Sequence, residues 1–317
     1  MHLSKHGAEL DQGKWANLIR DEIPELYSLA HLEIGKIFFE DSSDINHHHW
    51  TELARYIFER YHQFDGFVIL HGTDTMAYTA SALSFSLQNL GKPVILTGSQ
   101  VPMSNLRSDA RRNLINSIEL ATKPVPEVAI CFNDHLFKGN RCTKMTIGDF
   151  DAFSSPNFNH LAEIGLEIEI FQEYDQIKSG PVCKPCFDNS VLLIKIFPGL
   201  NPEFLNCLDL ATVKAIVVEA FGTGNFPIKE KSSLLPFIER CKKKGVHLVI
   251  TSQAPYDAVN LKQYKSGREA LRLGALSAGD MTTEAVITKL MFLLGCKLAD
   301  DEFIEQFNRN LTGERSR

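Results

Sequence analysis

Short apolar runs alternate with longer stretches whose apolar positions recur every three or four residues, the pattern of buried strands feeding amphipathic helices. Residues 67–70 predict a strand, residues 75–90 a helix rich in Ala, Ser and Leu, and residues 94–97 the next strand after the break at Gly91-Lys92-Pro93. A helix over 107–121 and a strand over 128–132 continue the rhythm. Strands that are continuously apolar, rather than alternating, belong to a parallel sheet covered on both faces. The polar stretch 133–144, with Gly139 in its middle, predicts a hairpin excursion from that sheet. Residues from about 172 to 190 contain Ser179-Gly180-Pro181, Pro185 and Asp188-Asn189 with little periodicity, and read as a linker. The rhythm then restarts with strands over 191–196, 215–218 and 246–251 and helices over 234–244 and 283–294, the last with Asp280, Thr282 or Thr283 as its N-cap. The fold class is α/β. A parallel-sheet N-terminal domain with flanking helices (1–172) is followed by the linker (173–190) and a smaller α/β C-terminal domain (191–317).

At 317 residues the chain exceeds one comfortable core, in keeping with two domains. Its 44% hydrophobic and 23% charged residues are ordinary for a globular protein. The formal net charge of −6 gives no electrostatic case for nucleic acid or an anionic membrane surface as partner. No apolar run approaches the roughly 20 residues that span a bilayer, and the first residues, Met1 to Glu9, carry no apolar core of a secretory signal. The cytoplasm is the default compartment. Seven cysteines, odd in number and scattered, do not form a disulfide framework. Cys183-Lys184-Pro185-Cys186 has no second pair and no histidines at ligand spacing, so it reads as an ordinary loop. His47-His48-His49 reads as a solvated helix start, because adjacent residues do not share a helix face.

The chemistry gathers where the strand over 67–70 ends abruptly in His71-Gly72-Thr73-Asp74-Thr75 and a helix follows. In parallel α/β sheets ligands bind at this carboxyl end of the strands, and the free N–H groups of a helix start favour an anion. The turn carries a hydroxyl, Thr73, and a carboxylate, Asp74. Two further segments could join it: Asp41-Ser42-Ser43-Asp44, and Lys144 at the end of a polar run. A threonine hydroxyl needs a neighbouring base to become a nucleophile. A lysine with a lowered pKa, oriented by an aspartate, could be that base, and the Ser42 and Ser43 hydroxyls could hold a substrate carboxylate. A plainer reading of the same residues has Thr73 capping the helix and Lys144 as a solvated loop lysine; the spacing leaves both open. Glu284 and the Asp280-Met281-Thr282 run read as helix capping.

At these residues the chain resembles the type I (cytoplasmic) bacterial L-asparaginase family. The resemblance rests on His71-Gly-Thr-Asp-Thr-Met76, Thr97-Gly-Ser-Gln100, Arg107-Ser-Asp109, Asp41-Ser-Ser-Asp44, Gly139-Asn-Arg141 with Lys144, and Phe153 with Ser155-Pro-Asn157. It continues through Pro198-Gly199, Glu219-Ala220 with Gly222-Thr-Gly-Asn225, Ser252-Gln253 and Gly279-Asp-Met-Thr282, in order from about residue 35 to 295. It implies a larger N-terminal and a smaller C-terminal α/β domain in a homo-oligomer, a homodimer or homotetramer, without a cofactor. It implies amide hydrolysis, asparagine giving aspartate and ammonia. Thr73 matches the second catalytic threonine, with Asp74 and Lys144 completing its relay. Asp74 would also meet the substrate's α-amino group, and Ser42 and Ser43 its α-carboxylate.

Family members begin with an apolar strand and Thr-Gly-Gly-Thr-Ile-Gly-Met, whose first threonine is usually the nucleophile; this chain has neither. The expectation is that Met1 is that motif's methionine and that the natural start lies upstream. The missing piece would be a central strand of the sheet, whose loss would leave neighbouring backbone groups unpaired. Residues 1–24 also lack the tyrosine that the family's flexible loop usually supplies. Two other readings stand beside the enzyme. One is an amidotransferase subunit of the same fold, which usually carries an extra N-terminal domain. The other is a non-catalytic amino-acid-binding protein. Preference between asparagine and glutamine turns on about one methylene of pocket length, worth roughly 1–3 kcal/mol, and no residue here decides it.

Overall fold

The elements follow from where apolar side chains can be covered. The computed structural model describes Ile19 and residues 21–174 and 179–316; the reading of Met1 and of the stretch behind it lies outside these residues. The chain divides into two compact units, residues 1–185 and 186–317.

In the first unit, helix α1 (His47–Glu59) starts at Asn46, whose side chain accepts from the His48 N–H while His49 Nδ1 accepts from the Asn46 N–H. The histidine triplet is therefore a helix start, as its pattern predicts. Strand β1 (Phe67–Leu70), helix α2 (Met76–Ser86), strand β2 (Val94–Thr97), helix α3 (Ala110–Ala121) and strand β3 (Val128–Phe132) follow. β1, β2 and β3 are parallel, with Phe67 beside Val94 and Val94 beside Val128. Alternation along the strands separates two cores. Val94, Leu96, Val128, Ile130 and Phe132 pack with α1 and α2 on one face, while Ile95, Ala129 and Cys131 lie in the core on the other. α2 is buried on almost every side, and small residues make that possible; the buried hydroxyls of Ser84 and Ser86 donate to carbonyls one turn back. The helix expected over 75–90 stops at Ser86, because Leu87–Gln88 pairs with Val182–Cys183 instead.

One expectation needs correction. After β3, Asn133 takes a positive φ of 54° and turns the chain into β4 (His135–Lys138), antiparallel to β3. Residues 135–138 thus stay in the sheet. Leu136 and Phe137 each reach one of the two cores, which rewards the pairing. β5 (Ala162–Ile164) and β6 (Ile168–Ile170) complete a sheet ordered β1-β2-β3-β4-β5-β6. The chain departs only beyond Gly139, where Thr143–Lys144 pairs with Phe153–Ser154. At the other end of the sheet, β1 pairs on one side only among the described residues. Its Phe67 and His71 N–H groups bond towards β2, so Val68 and Leu70 point theirs outwards.

The second unit holds a parallel sheet of β7 (Val191–Lys195), β8 (Ala215–Ala220), β9 (His247–Ser252) and β10 (Leu276–Ser277), in that order. Helix α4 (Leu235–Lys243) covers one face with Phe237, Ile238 and Cys241. The short helix α5 (Lys265–Arg272), the long α6 (Thr283–Gly295) and α7 (Asp300–Asn308) complete the unit. α6 starts at Thr282, whose hydroxyl accepts from the Ala285 N–H. Within it, the fully buried Lys289 ammonium donates to the Phe307 and Arg309 carbonyls and to the fully buried Glu314 carboxylate at 2.5 Å. No helix among the described residues is long and apolar enough to cross a membrane.

Candidate active site

β1 delivers residues 71–75 to the carboxyl edge of the sheet, and the turn is held from several sides. Buried His71 is bonded at both nitrogens, Nδ1 to the Gly72 carbonyl at 2.6 Å and Nε2 to Thr79 Oγ1 at 2.9 Å. A carbonyl only accepts, so Nδ1 carries the proton and Nε2 accepts from the Thr79 hydroxyl. Thr79 Oγ1 in turn accepts from Trp50 Nε1 at 3.1 Å. Burial pushes the His71 imidazole below its ordinary value of 6.5, against the opposing effect of its bond to Gly72. The ring therefore stays neutral and the tautomer fixed. The result is a directed chain of donors, Trp50 to Thr79 to His71 to the Gly72 carbonyl, that sets the peptide before Thr73.

Gly72 and Gly98 are small for a reason. A Cβ on Gly72 would lie 2.7 Å from Ser42 Oγ, and one on Gly98 would collide with the His71 carbonyl. Ser42 is buried against the turn, and its carbonyl accepts from Thr75 Oγ1 at 2.5 Å. Ser43 is exposed, and both its N–H and its hydroxyl donate to Asp41 Oδ1, at 2.9 and 2.7 Å. Those bonds hold the Asp41 carboxyl below its ordinary range.

Lys144 enters from the short ladder in which it sits opposite Phe153. Its Nζ donates to Thr73 Oγ1 at 2.7 Å and to Asp74 Oδ1 at 2.6 Å. The lysine side chain is 14% exposed and the Asp74 side chain 67%, so the lysine is sequestered while the carboxylate faces the open. Thr73 is not a helix cap: α2 begins at Met76 after Thr75, and the Thr73 hydroxyl donates to Gln100 Oε1 at 3.1 Å. An ammonium has protons to give and no lone pair. At rest, then, Thr73 receives from Lys144 and sends its own proton to Gln100.

The geometry brings Thr73, Asp74, Lys144 and Ser42 to one corner, with Ser43 adjoining and its hydroxyl turned to Asp41. Gln100 and Asp109 stand in motifs that carry the family resemblance, but neither was assigned a part in the site from sequence. Gln100 Nε2 donates to the Asp149 carbonyl at 3.1 Å. The Gln100 and Val101 N–H groups both donate to the Asp109 carboxylate, which also accepts from Asn113 Nδ2. The available signal was positional: Thr97-Gly-Ser-Gln100 leaves β2 at the same sheet edge at which Thr73 leaves β1. Among the described residues, no group of three or more His, Cys, Asp or Glu side chains could hold a metal ion.

Comparison with known proteins gives matches over nearly the whole chain. The family model described as asparaginase, N-terminal, matches residues 1–176, and the glutaminase/asparaginase C-terminal domain model matches residues 190–307. L-asparaginase 1 of Escherichia coli (strain K12) is 38% identical over 283 residues, covering 86% of this chain and 81% of that protein. The crystal structure of L-asparaginase I from Vibrio cholerae superposes with a TM-score of 0.86 at 36% identity, over 100% of this chain and 95% of that one. The "Probable Cytoplasmic L-asparaginase" from Campylobacter jejuni gives a TM-score of 0.78 at 25% identity, over 96% and 93% of the two chains.

Proposed function

The chain belongs to the asparaginase family and is an amidohydrolase, and from that premise we propose that it hydrolyses the side-chain amide of L-asparagine to L-aspartate and ammonia at the Thr73–Asp74–Lys144 corner. The observation that carries this reading is the Lys144 ammonium held within 2.7 Å of Thr73 Oγ1 and 2.6 Å of Asp74 Oδ1. A hydroxyl, a basic group and an orienting carboxylate within hydrogen-bond reach are what nucleophilic amide cleavage requires. In this reading the Lys144 ammonium first gives a proton to water, and the free amine then works the relay. It takes up the proton, through Thr73, as a threonine oxygen adds to the amide carbon. It returns the proton to the departing nitrogen, which leaves as ammonia. Water then cleaves the resulting ester and regenerates the hydroxyl. Gln100 accepts the Thr73 proton at rest and keeps the hydroxyl oriented between turnovers.

Substrate binding follows from the same corner. The exposed Asp74 carboxylate suits the substrate's α-amino group, and Ser42 and Ser43 suit its α-carboxylate, Ser43 once its hydroxyl turns from Asp41. No cofactor enters this chemistry. A homo-oligomer, a dimer or tetramer, fits the family resemblance, and a place in the cytoplasm fits the Campylobacter jejuni neighbour, named as cytoplasmic.

Ammonia release from L-asparagine by the natural protein tests the reading. Lys144→Met, Thr73→Ala and Asp74→Ala are each expected to depress turnover by about 10²–10⁴-fold, the usual share of a positioned acid–base group. Near-normal turnover in Lys144→Met would remove the lysine from the relay. Calorimetric binding of asparagine with no ammonia released by the unaltered protein would overturn the hydrolase reading in favour of an amino-acid-binding protein.

A further inference from the structure

Cys183 and Cys186 are neighbours in sequence but meet different partners, each within its own unit. Cys183 Sγ lies 3.7 Å from the Ala54 carbonyl oxygen. Cys186 Sγ lies instead 3.0 Å from the sulfur of Cys296, a residue 110 positions further along. Non-bonded heavy atoms otherwise settle at about 3.5–4.0 Å, so the two sulfurs are already closer than packing alone would leave them. Cys186 opens the second unit, and Cys296 follows directly on Gly295, the last residue of α6.

Three successive residues run back along the end of that helix and hold this approach. The Asp188 N–H donates to the Met291 carbonyl at 2.9 Å, and the Phe187 ring stands edge-on to Phe292 with centroids 6.3 Å apart. The backbone of Cys186 and Phe187 passes so near Gly295 that a Cβ there would meet it at 2.6–2.7 Å. A glycine at the last turn is what lets the chain lie this close, and the close passage sets the two thiols side by side.

We propose that Cys186 and Cys296 are a reversible oxidation site, joined as a disulfide when the protein meets a hydroperoxide. One thiolate attacks the peroxide; the O–O bond breaks, water leaves, and that sulfur becomes a sulfenic acid. The second thiol then attacks this sulfur, the S–S bond forms, and the hydroxyl leaves as a second water. Two thiols lose two protons and two electrons, and hydrogen peroxide is reduced to two molecules of water. A dithiol reverses the step. The bond fastens the entry of the second unit to the end of α6 and closes a long loop in the unfolded chain, which stabilises the folded unit.

The other cysteines compete poorly. Burial pushes the Cys131 and Cys241 thiols up to about 12 and about 11, so neither offers thiolate. Cys142 is buried, and Cys207 is exposed in a different element. Cys186 and Cys296 are both only partly buried, within reach of a small oxidant.

The test treats the whole protein with hydrogen peroxide, alkylates remaining thiols, and maps peptides by mass spectrometry. The expected result is a Cys186–Cys296 cross-linked peptide pair, reversed by dithiothreitol, together with a thermal midpoint several degrees above that of the reduced protein. Cys186→Ser and Cys296→Ser should each abolish both the cross-link and the rise, and Gly295→Ala should abolish the cross-link by separating the sulfurs. A Cys183–Cys186 link, or full alkylation of Cys186 and Cys296 after peroxide, would overturn the site. A cross-link without any rise in midpoint would overturn its fastening role.

Discussion

At the scale of single residues, the corner depends on buried groups that stand behind it. Thr79 is 1% exposed, and its hydroxyl links Trp50 to His71. Replacing it by valine keeps the shape and removes both bonds. Thr79→Val is expected to lower stability by about 1–3 kcal/mol, the cost of stripping partners from buried polar groups. It should also lower turnover, because the Gly72 peptide loses its anchor. Urea midpoints and kcat read the two effects, and Thr79→Ser should restore both; unchanged kcat in Thr79→Val would detach the network from the site. Much of the corner was legible in sequence. An abrupt stop of an apolar run at Gly-Thr-Asp marks a strand end whatever surrounds it, and that located Thr73 and Asp74. Lys144 entered as a candidate only, since no local pattern says that a lysine 70 positions away turns inwards. Gln100 escaped because an amide has no charge signature, and its role exists only through the approach of β1 and β2.

At the scale of elements, strand positions were the most readable. Strands 67–70, 94–97 and 128–132 have the limits expected, because continuous apolar runs between breakers admit little else. The helix expected to run to residue 90 ended early, since Ala- and Ser-rich sequence carries no local stop and a long-range partner, Val182–Cys183, supplied it. The hairpin after β3 was misjudged for a related reason. Its strand is polar at His135 and Lys138, and only the two cores on either side of the sheet make Leu136 and Phe137 worth pairing. That hairpin turns on Asn133 at φ 54°, a region that β-branched residues avoid. Asn133→Val is therefore expected to cost about 1–2 kcal/mol, while Asn133→Gly should be close to neutral. Equal urea midpoints for the valine and glycine variants would show that the turn carries no such constraint.

At the scale of the whole molecule, several titratable groups push stability in one direction. Burial depresses the imidazoles of His71, His160 and His247 below the ordinary 6.5. Between that value and the lowered folded values the unfolded chain binds more protons. Stability is therefore fullest above about pH 6.5 and is lost as the pH falls through this window. The carboxylates add a second window. Burial raises Asp188, but its bonds from Lys214 and Ser190 more than offset that and take it down to about 2. Its contribution is complete above the ordinary 3.8 and is lost below it. Urea midpoints should fall as the pH drops below about 6.5, then fall again below about pH 4; a flat profile just below about pH 6.5 would contradict the burial of the histidines. The buried Lys289–Glu314 pair has a different consequence, one for the life of the protein in a cell. It makes the segment after α7 a counter-ion for the core. Replacing Glu314 by alanine leaves a buried ammonium facing backbone carbonyls, at a cost of about 3–5 kcal/mol against the roughly 5–15 kcal/mol a native protein has. Molecules that lose this partner unfold far more often, so cellular proteases should clear them sooner than the intact protein.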